Sequence, residues 1–199
     1  MNIVIIKYNA GNIESVNNAL NRLDLNAEVT SDPEKIRNAD KVIFPGVGEA
    51  STTMKYLRKH KLDKLIISLK QPVLGICLGL QLMCSHSEEN DTECLGIFDE
   101  NVKRFVPKPG EEFITKVPHM GWNSISNLKS KLFTNENDKQ YVYFVHSFYA
   151  GIGEHTAATC NYILPFSAAL QKDNFYATQF HPEKSGSVGA KILENFINL

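Results

Sequence analysis

The sequence predicts an α/β fold: a mostly parallel central sheet with helices on both faces, extended by antiparallel strands in the second half. Two observations carry this prediction. In the first half, short apolar runs alternate with segments of helical periodicity, a pattern typical of parallel sheets covered by helices. In the second half, strand-like segments follow one another with short turns, which favours antiparallel pairing in part of this half.

The predicted elements follow from apolar periodicity. Short apolar runs predict strands in the first half at residues 2–7, 27–30, 41–44 and 72–76. Apolar residues at helical spacing predict helices at residues 12–23, 51–69 and 78–86, the first of them capped by Asn12. The second half adds predicted strands at residues 97–106, 113–117, 140–147, 156–161, 168–172 and 175–180, and an amphipathic helix at residues 188–199.

Composition narrows the class of protein. The chain has 199 residues, of which 43% are hydrophobic and 22% charged, as in a single globular domain covering residues 1–199. The net charge of −1 offers no electrostatic footprint for nucleic acid or for an anionic membrane. The first apolar run, at residues 3–6, is too short for a signal peptide or a membrane span, so a cytoplasmic location is expected. The four cysteines form no C-x-x-C pair, and we expect neither disulfides nor a metal site.

A candidate nucleophile lies between a predicted strand and a predicted helix. Cys77 is flanked two residues away on each side by Gly75 and Gly79, the cysteine counterpart of the G-x-S-x-G nucleophile elbow. Such a turn lifts the side chain out at the end of the strand and places it at a helix N-terminus, where negative charge is favoured. The N–H of Leu78 is then free to bind an oxyanion. The alternative interpretation is a buried, purely structural cysteine beside glycines that the packing requires.

A nucleophilic cysteine needs a base, and His181 is the best placed of the six histidines. It follows an apolar strand, and Glu183 stands two residues further on, a spacing that in an extended segment points both side chains the same way. A carboxylate beside an imidazole orients the ring, as in catalytic triads. A zinc deaminase also uses H-x-E but needs P-C-x-x-C downstream, and no cysteine follows His181.

These motifs resemble the class I, triad-type glutamine amidotransferases. Five segments in order extend the resemblance along nearly the whole chain, to the glutaminase subunits of imidazole glycerol phosphate synthases: PGVG at 45–48, GICLGLQ at 75–81, PHMGWN at 118–123, YFVHS at 143–147 and ATQFHPEKSG at 177–186. The resemblance implies a flavodoxin-like fold, a Cys77–His181–Glu183 triad and no cofactor. It also implies a second oxyanion donor in the 46–48 loop, at Val47.

The resemblance further implies glutamine as substrate and a (β/α)8-barrel cyclase as partner in a heterodimer. The products would be glutamate, imidazole glycerol phosphate and an aminoimidazole carboxamide ribonucleotide, in histidine biosynthesis. Glutamine would be bound by Gly46, Gln81 and Glu89. The residues expected at the partner interface are His119, Met120, Trp122, Tyr143 and Lys184.

Other interpretations stay open at this point. The loop at residues 7–12 lacks the aspartate usual in the family, and Glu49-Ala-Ser stands where a bulky hydrophobe is commoner. Related subunits supply ammonia to enzymes that amidinate surface sugars. A free-standing γ-glutamyl cysteine hydrolase would share the elbow and the histidine but would need no partner. A catalytically inactive binding module would not need Cys77, His181 and Glu183 together.

Overall fold

The computed structural model describes residues 1–9, 11–110, 115–133 and 140–199. The strands in these residues are β1 (Ile3–Ile6), β2 (Ala27–Thr30), β3 (Lys41–Gly46), β4 (Val73–Cys77), β5 (His86–Ser87), β6 (Thr92–Glu93), β7 (Asn101–Arg104), β8 (His119–Ser126), β9 (Gln140–His146), β10 (Phe148–Ala150), β11 (Thr156–Asn161), β12 (Pro165–Lys172) and β13 (Phe175–Thr178). The helices are α1 (Ile13–Asn21), α2 (Pro33–Arg37), α3 (Ala50–Lys59), α4 (Leu62–Ser68), α5 (Leu78–Met83) and α6 (Gly186–Ile197), with a 3-10 turn at Pro182–Lys184.

The central sheet has nine strands in the order β2-β1-β3-β4-β13-β12-β11-β8-β9. The five strands from β2 to β13 are parallel to one another. The remaining strands, from β12 to β9, pair antiparallel. The predicted division of the sheet into a parallel part and an antiparallel part is therefore confirmed.

Helices cover both faces of the sheet, as predicted. On one face, Val16 and Leu20 of α1 and Ile192 of α6 pack in one core with Ile5 of β1. On the other face, α2 to α5 pack against the alternate side chains of the same strands, with Ile6 in the second core. Because both sides of β1, β3 and β4 are buried, these strands read in the sequence as continuous apolar runs.

The ends of three parallel strands lie side by side. Gly46 at the end of β3 is in register with Cys77 at the end of β4, and Ile76 is in register with Thr178 at the end of β13. In open α/β sheets, functional groups gather at the carboxyl ends of the strands. The loops that follow β3, β4 and β13 therefore share one edge of the sheet.

A smaller sheet of four strands, in the order β10-β7-β5-β6, was not predicted. The turn between β5 and β6 carries the acidic residues Glu88, Glu89 and Asp91. Strands of two to four residues leave too little periodic pattern for a sequence-based assignment. The strand predicted at 97–106 shrinks to β7, and the helix predicted at 78–86 ends at Met83 before the chain enters β5.

The prediction of one continuous helix at residues 51–69 is wrong, because two helices occupy this stretch. The helix α3 ends at Lys59, and α4 begins after Lys61, whose backbone is left-handed with φ +57°. A left-handed residue breaks the helix direction. No glycine or proline marks this break, so the apolar periodicity runs across it.

The strand β8 was missed because its pattern of polarity is inverted. Its inward residue His119 is buried, whereas Met120 and Trp122 are exposed on the outer side. A sequence reading assigns apolar side chains to the core, so this strand gives no usable signal. For the strand predicted at 113–117, residues 113 and 114 lie outside the described residues, and residues 115–117 form no strand. The short helix α2 was also missed, although Asp32 caps it and Pro33 begins it.

Within the described ranges no helix is long and apolar enough to cross a membrane. The four cysteines, Cys77, Cys84, Cys94 and Cys160, are all free thiols.

Candidate active site

Cys77 forms a strained elbow between β4 and α5. Its backbone has φ +56° and ψ −106°, a conformation that costs of the order of 1–3 kcal/mol for a residue other than glycine. Gly79 makes this turn possible, since a Cβ added there would lie 2.0 Å from the carbonyl oxygen of Phe44. At Gly75, an added Cβ would lie 2.9 Å from Met83 Sδ. Both glycines of the predicted motif are thus required by close approach of backbone and side chains.

The thiol of Cys77 is 6% exposed and has two polar contacts. Its Sγ lies 3.8 Å from the carbonyl oxygen of Val145, to which the thiol donates. It also accepts from Gln179 Nε2 at 3.8 Å. The sulfur therefore sits between one acceptor and one donor.

His181 and Glu183 form a buried pair. His181 Nδ1 lies 2.7 Å from Glu183 Oε1, and both side chains are fully buried. His181 is extended, but the extended geometry ends there, because Pro182–Lys184 is a 3-10 turn that brings the carboxylate back to the ring. With Nδ1–H donating to the carboxylate, Nε2 carries the lone pair. Nε2 is buried and has no hydrogen-bond partner among the described residues.

The charge on His181 is set by competing influences. Burial lowers the pKa of the ring, but the negative charge of a Cys77 thiolate and the hydrogen-bonded Glu183 carboxylate outweigh burial and raise the pKa to about 10. A proton transferred from the thiol to this imidazole is therefore held there at neutral pH.

Asn12 is a site residue that the sequence analysis missed. It was assigned as a helix cap, but its side chain makes no cap hydrogen bond. Instead Asn12 Nδ2 donates to Glu183 Oε1 at 2.6 Å and lies 3.4 Å from His181 Nδ1. Its left-handed backbone, φ +72°, turns the side chain toward the pair. A Gly-Asn sequence before a helix was the only available signal, and it fits a cap equally well.

The backbone of His181 is tied to the edge strand β9. Its N–H donates to the carbonyl oxygen of Tyr143 at 2.9 Å. The hydroxyl of Ser185 donates to the His181 carbonyl oxygen at 2.6 Å and accepts from the Tyr143 N–H at 3.0 Å. The position of the imidazole thus depends on β9 as well as on β13.

Val47 and Leu78, the two residues predicted to form the oxyanion hole, both line one cavity. Val47 follows β3 and Leu78 begins α5, where the first N–H groups have no intrahelical partner. The loop is anchored at its start, since Tyr8 donates from its hydroxyl to the Pro45 carbonyl oxygen at 2.5 Å. Burial, followed by the charge of Cys77, raises the pKa of Tyr8 well above its usual range, so this hydroxyl remains a donor. Gly48 has φ +116°, a conformation that glycine adopts without strain.

The cavity has a volume of about 340 Å³, enough for a small amino acid. Besides Val47, Cys77 and Leu78, it is lined by the following residues: Gly48, Gln81, Glu89, Pro118, Val145, His146, Ser147 and Phe148. The predicted glutamine ligands Gln81 and Glu89 are thus in the cavity wall. The third predicted ligand, Gly46, is not among the lining residues, and a Cβ added there would be 2.5 Å from Tyr8 Oη.

Glu89 is held in place by its own hydrogen bond. Its Oε2 accepts from the backbone N–H of Ala50 at the start of α3, at 2.7 Å. Burial raises the pKa of Glu89, and the bond from Ala50 opposes this rise. The other carboxylate oxygen is left for a cationic group such as an amino-acid ammonium.

The residues predicted at the partner interface lie in two different environments. Met120 and Trp122 are 63% and 57% exposed on the outer side of β8, Tyr143 is half-buried on β9 beside Trp122, and Lys184 is exposed. His119 is 3% exposed and stacks on Tyr162, so its side chain lies in the core and not on the exposed side of β8. The alternation of side chains along a strand turns His119 inward when Met120 faces out.

The elbow cysteine, the loop after β3 and the buried His181–Glu183 pair lie at one edge of the sheet, an arrangement that fits a glutamine amidotransferase. Residues 4–199 match the family model for glutamine amidotransferase class-I, and the chain belongs to this family.

The full-length relatives are more specific. The chain is 62% identical over 199 residues to the imidazole glycerol phosphate synthase subunit HisH of Bacteroides fragilis, covering 100% of both chains. It is 45% identical over 201 residues to the subunit of the same name from Escherichia coli strain K12, again covering 100% of both.

Solved structures share the fold. A glutamine amidotransferase crystal structure superposes with a TM-score of 0.73 at 16% identity, covering 98% of this chain and 97% of the other. The PurLQS structure from Thermotoga maritima gives a TM-score of 0.70 at 15% identity, covering 99% and 97%.

Proposed function

We propose that this chain is the glutaminase subunit of an imidazole glycerol phosphate synthase, and that Cys77, His181 and Glu183 are its catalytic triad. The observation that supports the reaction best is the buried His181–Glu183 pair, 2.7 Å apart, at the same sheet edge as the Cys77 elbow. The pathway rests on 45% and 62% identity over the full length to proteins named as HisH subunits. Residues 1–199 act as one glutaminase domain.

The first half of the reaction forms a thioester. His181 Nε2 takes the thiol proton of Cys77, and Sγ attacks the carboxamide carbon of glutamine. The negative charge that develops on the carboxamide oxygen is held by the N–H groups of Leu78 and Val47. When the C–N bond breaks, His181 returns the proton to the leaving nitrogen, and ammonia departs. A γ-glutamyl thioester remains on Cys77.

The second half releases glutamate. The same imidazole takes a proton from water, and the resulting hydroxide attacks the thioester carbon through a second oxyanion. The C–S bond breaks, and the thiolate of Cys77 is restored or takes the proton from His181. Glu183 keeps the ring oriented and stabilises the imidazolium in both halves.

Glutamine is held by the walls of the cavity. Gln81 uses its amide nitrogen for Phe148 and Gln179, so its oxygen is available to accept from the substrate ammonium. The second oxygen of Glu89 is a partner for the same ammonium. Gly46 lets the oxyanion loop approach the elbow.

The ammonia is passed to a (β/α)8-barrel cyclase in a cytoplasmic heterodimer, which joins it to a ribulosylamine nucleotide. The exposed apolar side chains of Met120 and Trp122, together with Tyr143 beside Trp122 and the exposed Lys184, form the docking surface. The peptide at Val47, next to the flexible Gly48, switches the oxyanion hole. Because one missing donor costs roughly 3–4 kcal/mol, the free subunit is nearly silent until the liganded partner sets the loop.

Labelling with a glutamine-analogue electrophile tests the assignment of the nucleophile. Peptide mass mapping is expected to find the label on Cys77, and Cys77→Ala is expected to abolish labelling. Cys94→Ser is the matched control, because burial raises the pKa of the Cys94 thiol to about 12 and leaves it unreactive. Label on Cys94, or labelling that survives Cys77→Ala, would contradict the assignment.

A further inference from the structure

Gln179 is a fully buried polar residue just after β13 that lies outside the proposed triad and does not line the cavity. Both ends of its carboxamide are engaged. Oε1 accepts from Gln81 Nε2 at 3.1 Å, and Nε2 reaches Cys77 Sγ at 3.8 Å. Its backbone N–H donates to the carbonyl oxygen of Ala168 at 2.8 Å. These hydrogen bonds and the complete burial fix the Gln179 amide beside the sulfur.

The orientation of this carboxamide follows from a neighbouring carbonyl. Gln81 Nε2 also lies 3.0 Å from the carbonyl oxygen of Phe148, which can only accept. Gln81 must therefore present its nitrogen on this side. Gln179 must then present its oxygen to Gln81 and its N–H to the sulfur.

The Phe148 carbonyl is itself fixed by a second donor. His146 Nδ1 donates to it at 2.7 Å, which leaves His146 Nε2 to accept from His119 Nδ1 at 3.1 Å. Burial lowers the pKa of His146 to about 3 and that of His119 to about 4, so both rings stay neutral. Because both rings are neutral, His146 Nδ1 remains the donor to the Phe148 carbonyl. The fixed carbonyl in turn holds the Gln81 amide in place.

The sulfur needs such a donor when it loses its proton. Besides the His181 ring, two polar groups contact Sγ, namely the Val145 carbonyl and the Gln179 amide, and the carbonyl accepts from a thiol but repels a thiolate. We propose that Gln179 is a further catalytic residue, whose amide N–H stabilises the Cys77 thiolate from the protein side, and that Gln81 is its positioning residue. This inference rests on the proposed glutaminase function, in which Cys77 must lose its proton to attack glutamine.

The pH dependence of Cys77 alkylation by iodoacetamide tests this role in the isolated full chain. Gln179→Met removes the donor. Gln179→Glu keeps an oxygen for Gln81 but replaces the donor with a carboxylate. At neutral pH, alkylation of Cys77 is expected to slow about tenfold in Gln179→Met, and at least as much in Gln179→Glu. The pH midpoint is expected to rise by about one unit in both.

Gln171→Met is the matched control, since Gln171 lies on the neighbouring strand β12 and has no contact with the sulfur. It is expected to leave the rate and the midpoint unchanged. Thermal unfolding of each variant shows whether slower alkylation reflects loss of the fold. If Gln179→Met does not fold, the alkylation of Gln179→Glu is the test of the proposal. Midpoints in the folded variants equal to that of the unchanged chain would overturn the proposal.

Steady-state kinetics in the complex with the cyclase give an independent readout. Because Gln179 does not line the cavity and Gln179→Glu keeps an oxygen for Gln81, this variant is expected to lower kcat and leave KM for glutamine within about twofold. A higher KM with unchanged kcat would overturn the role as a donor to the sulfur. If the alkylation midpoints shift as expected but no cyclase elicits glutamate release, the glutaminase proposal fails while this inference stands.

Discussion

At the scale of residues, the site is organised around one carboxylate oxygen. Glu183 Oε1 accepts from both His181 Nδ1 and Asn12 Nδ2, at 2.7 and 2.6 Å. Two donors on one oxygen stabilise the charged carboxylate and fix its direction. The imidazole is thereby held in a single tautomer with Nε2 free for the thiol proton.

The substitution Glu183→Gln is expected to change the pH profile. Glu183 is one of the groups that raise the pKa of His181, so the imidazolium persists above neutral pH and is lost only as the pH rises through about 10. Without the carboxylate the ring loses its proton at lower pH. The alkaline limb of kcat/KM is therefore expected to move to lower pH, with a loss of up to about 10⁴-fold at the optimum.

The control for this substitution is Glu194→Gln on α6, where the carboxylate pairs with exposed Lys191. This variant is expected to keep the original profile. An alkaline limb that stays in place in Glu183→Gln would show that the carboxylate does not govern the proton on His181.

At the scale of elements, the elbow depends on how closely α5 approaches β3. Gly79→Ala places a Cβ where the Phe44 carbonyl oxygen now lies 2.0 Å away, so the two elements must separate. We expect a loss of unfolding free energy of about 1–3 kcal/mol, measured by urea denaturation. Glutaminase activity is expected to fall further than stability, because Leu78 N–H moves from the oxyanion.

Gly151→Ala offers a matched control in the same chain. An added Cβ at Gly151 would meet only the Asn101 carbonyl oxygen, at the ordinary contact distance of 3.9 Å. Equal stability of the two variants would contradict the account of the elbow.

The predictable and unpredictable elements differ in physical terms. Strands β1, β3 and β4 are buried on both faces, and their continuous apolar runs identify them. Strand β8 carries buried His119 and exposed Trp122, so the burial preferences that guide a sequence reading point the wrong way.

The same contrast holds for the candidate site. His181 and Glu183 are two residues apart, and their pairing was predictable from the sequence although the local turn was not. Asn12 is 171 residues from Glu183, and Gln179 is 102 residues from Cys77. Contacts of this kind leave no local pattern, and only the assembled sheet brings them together.

At the scale of the whole molecule, the proposed docking surface and the candidate site share the strand pair β8–β9. Met120 lies opposite Val145, which lines the cavity and contacts the Cys77 thiol. Trp122 lies opposite Tyr143, whose carbonyl oxygen accepts from the His181 N–H. A partner bound on this face would contact the strand pair whose backbone carbonyls contact the Cys77 thiol and the His181 N–H.

Glutamate release from glutamine by the purified chain is the most direct test of the account. It is measured for the chain alone, and again with a barrel cyclase and its ribulosylamine nucleotide. The proposed switch at Val47 predicts a rate near zero for the chain alone and an increase of about 10²–10³-fold in the liganded complex, the effect of completing the oxyanion hole. An equally high rate without the partner would contradict it, and would identify a preassembled site in an independent cysteine hydrolase.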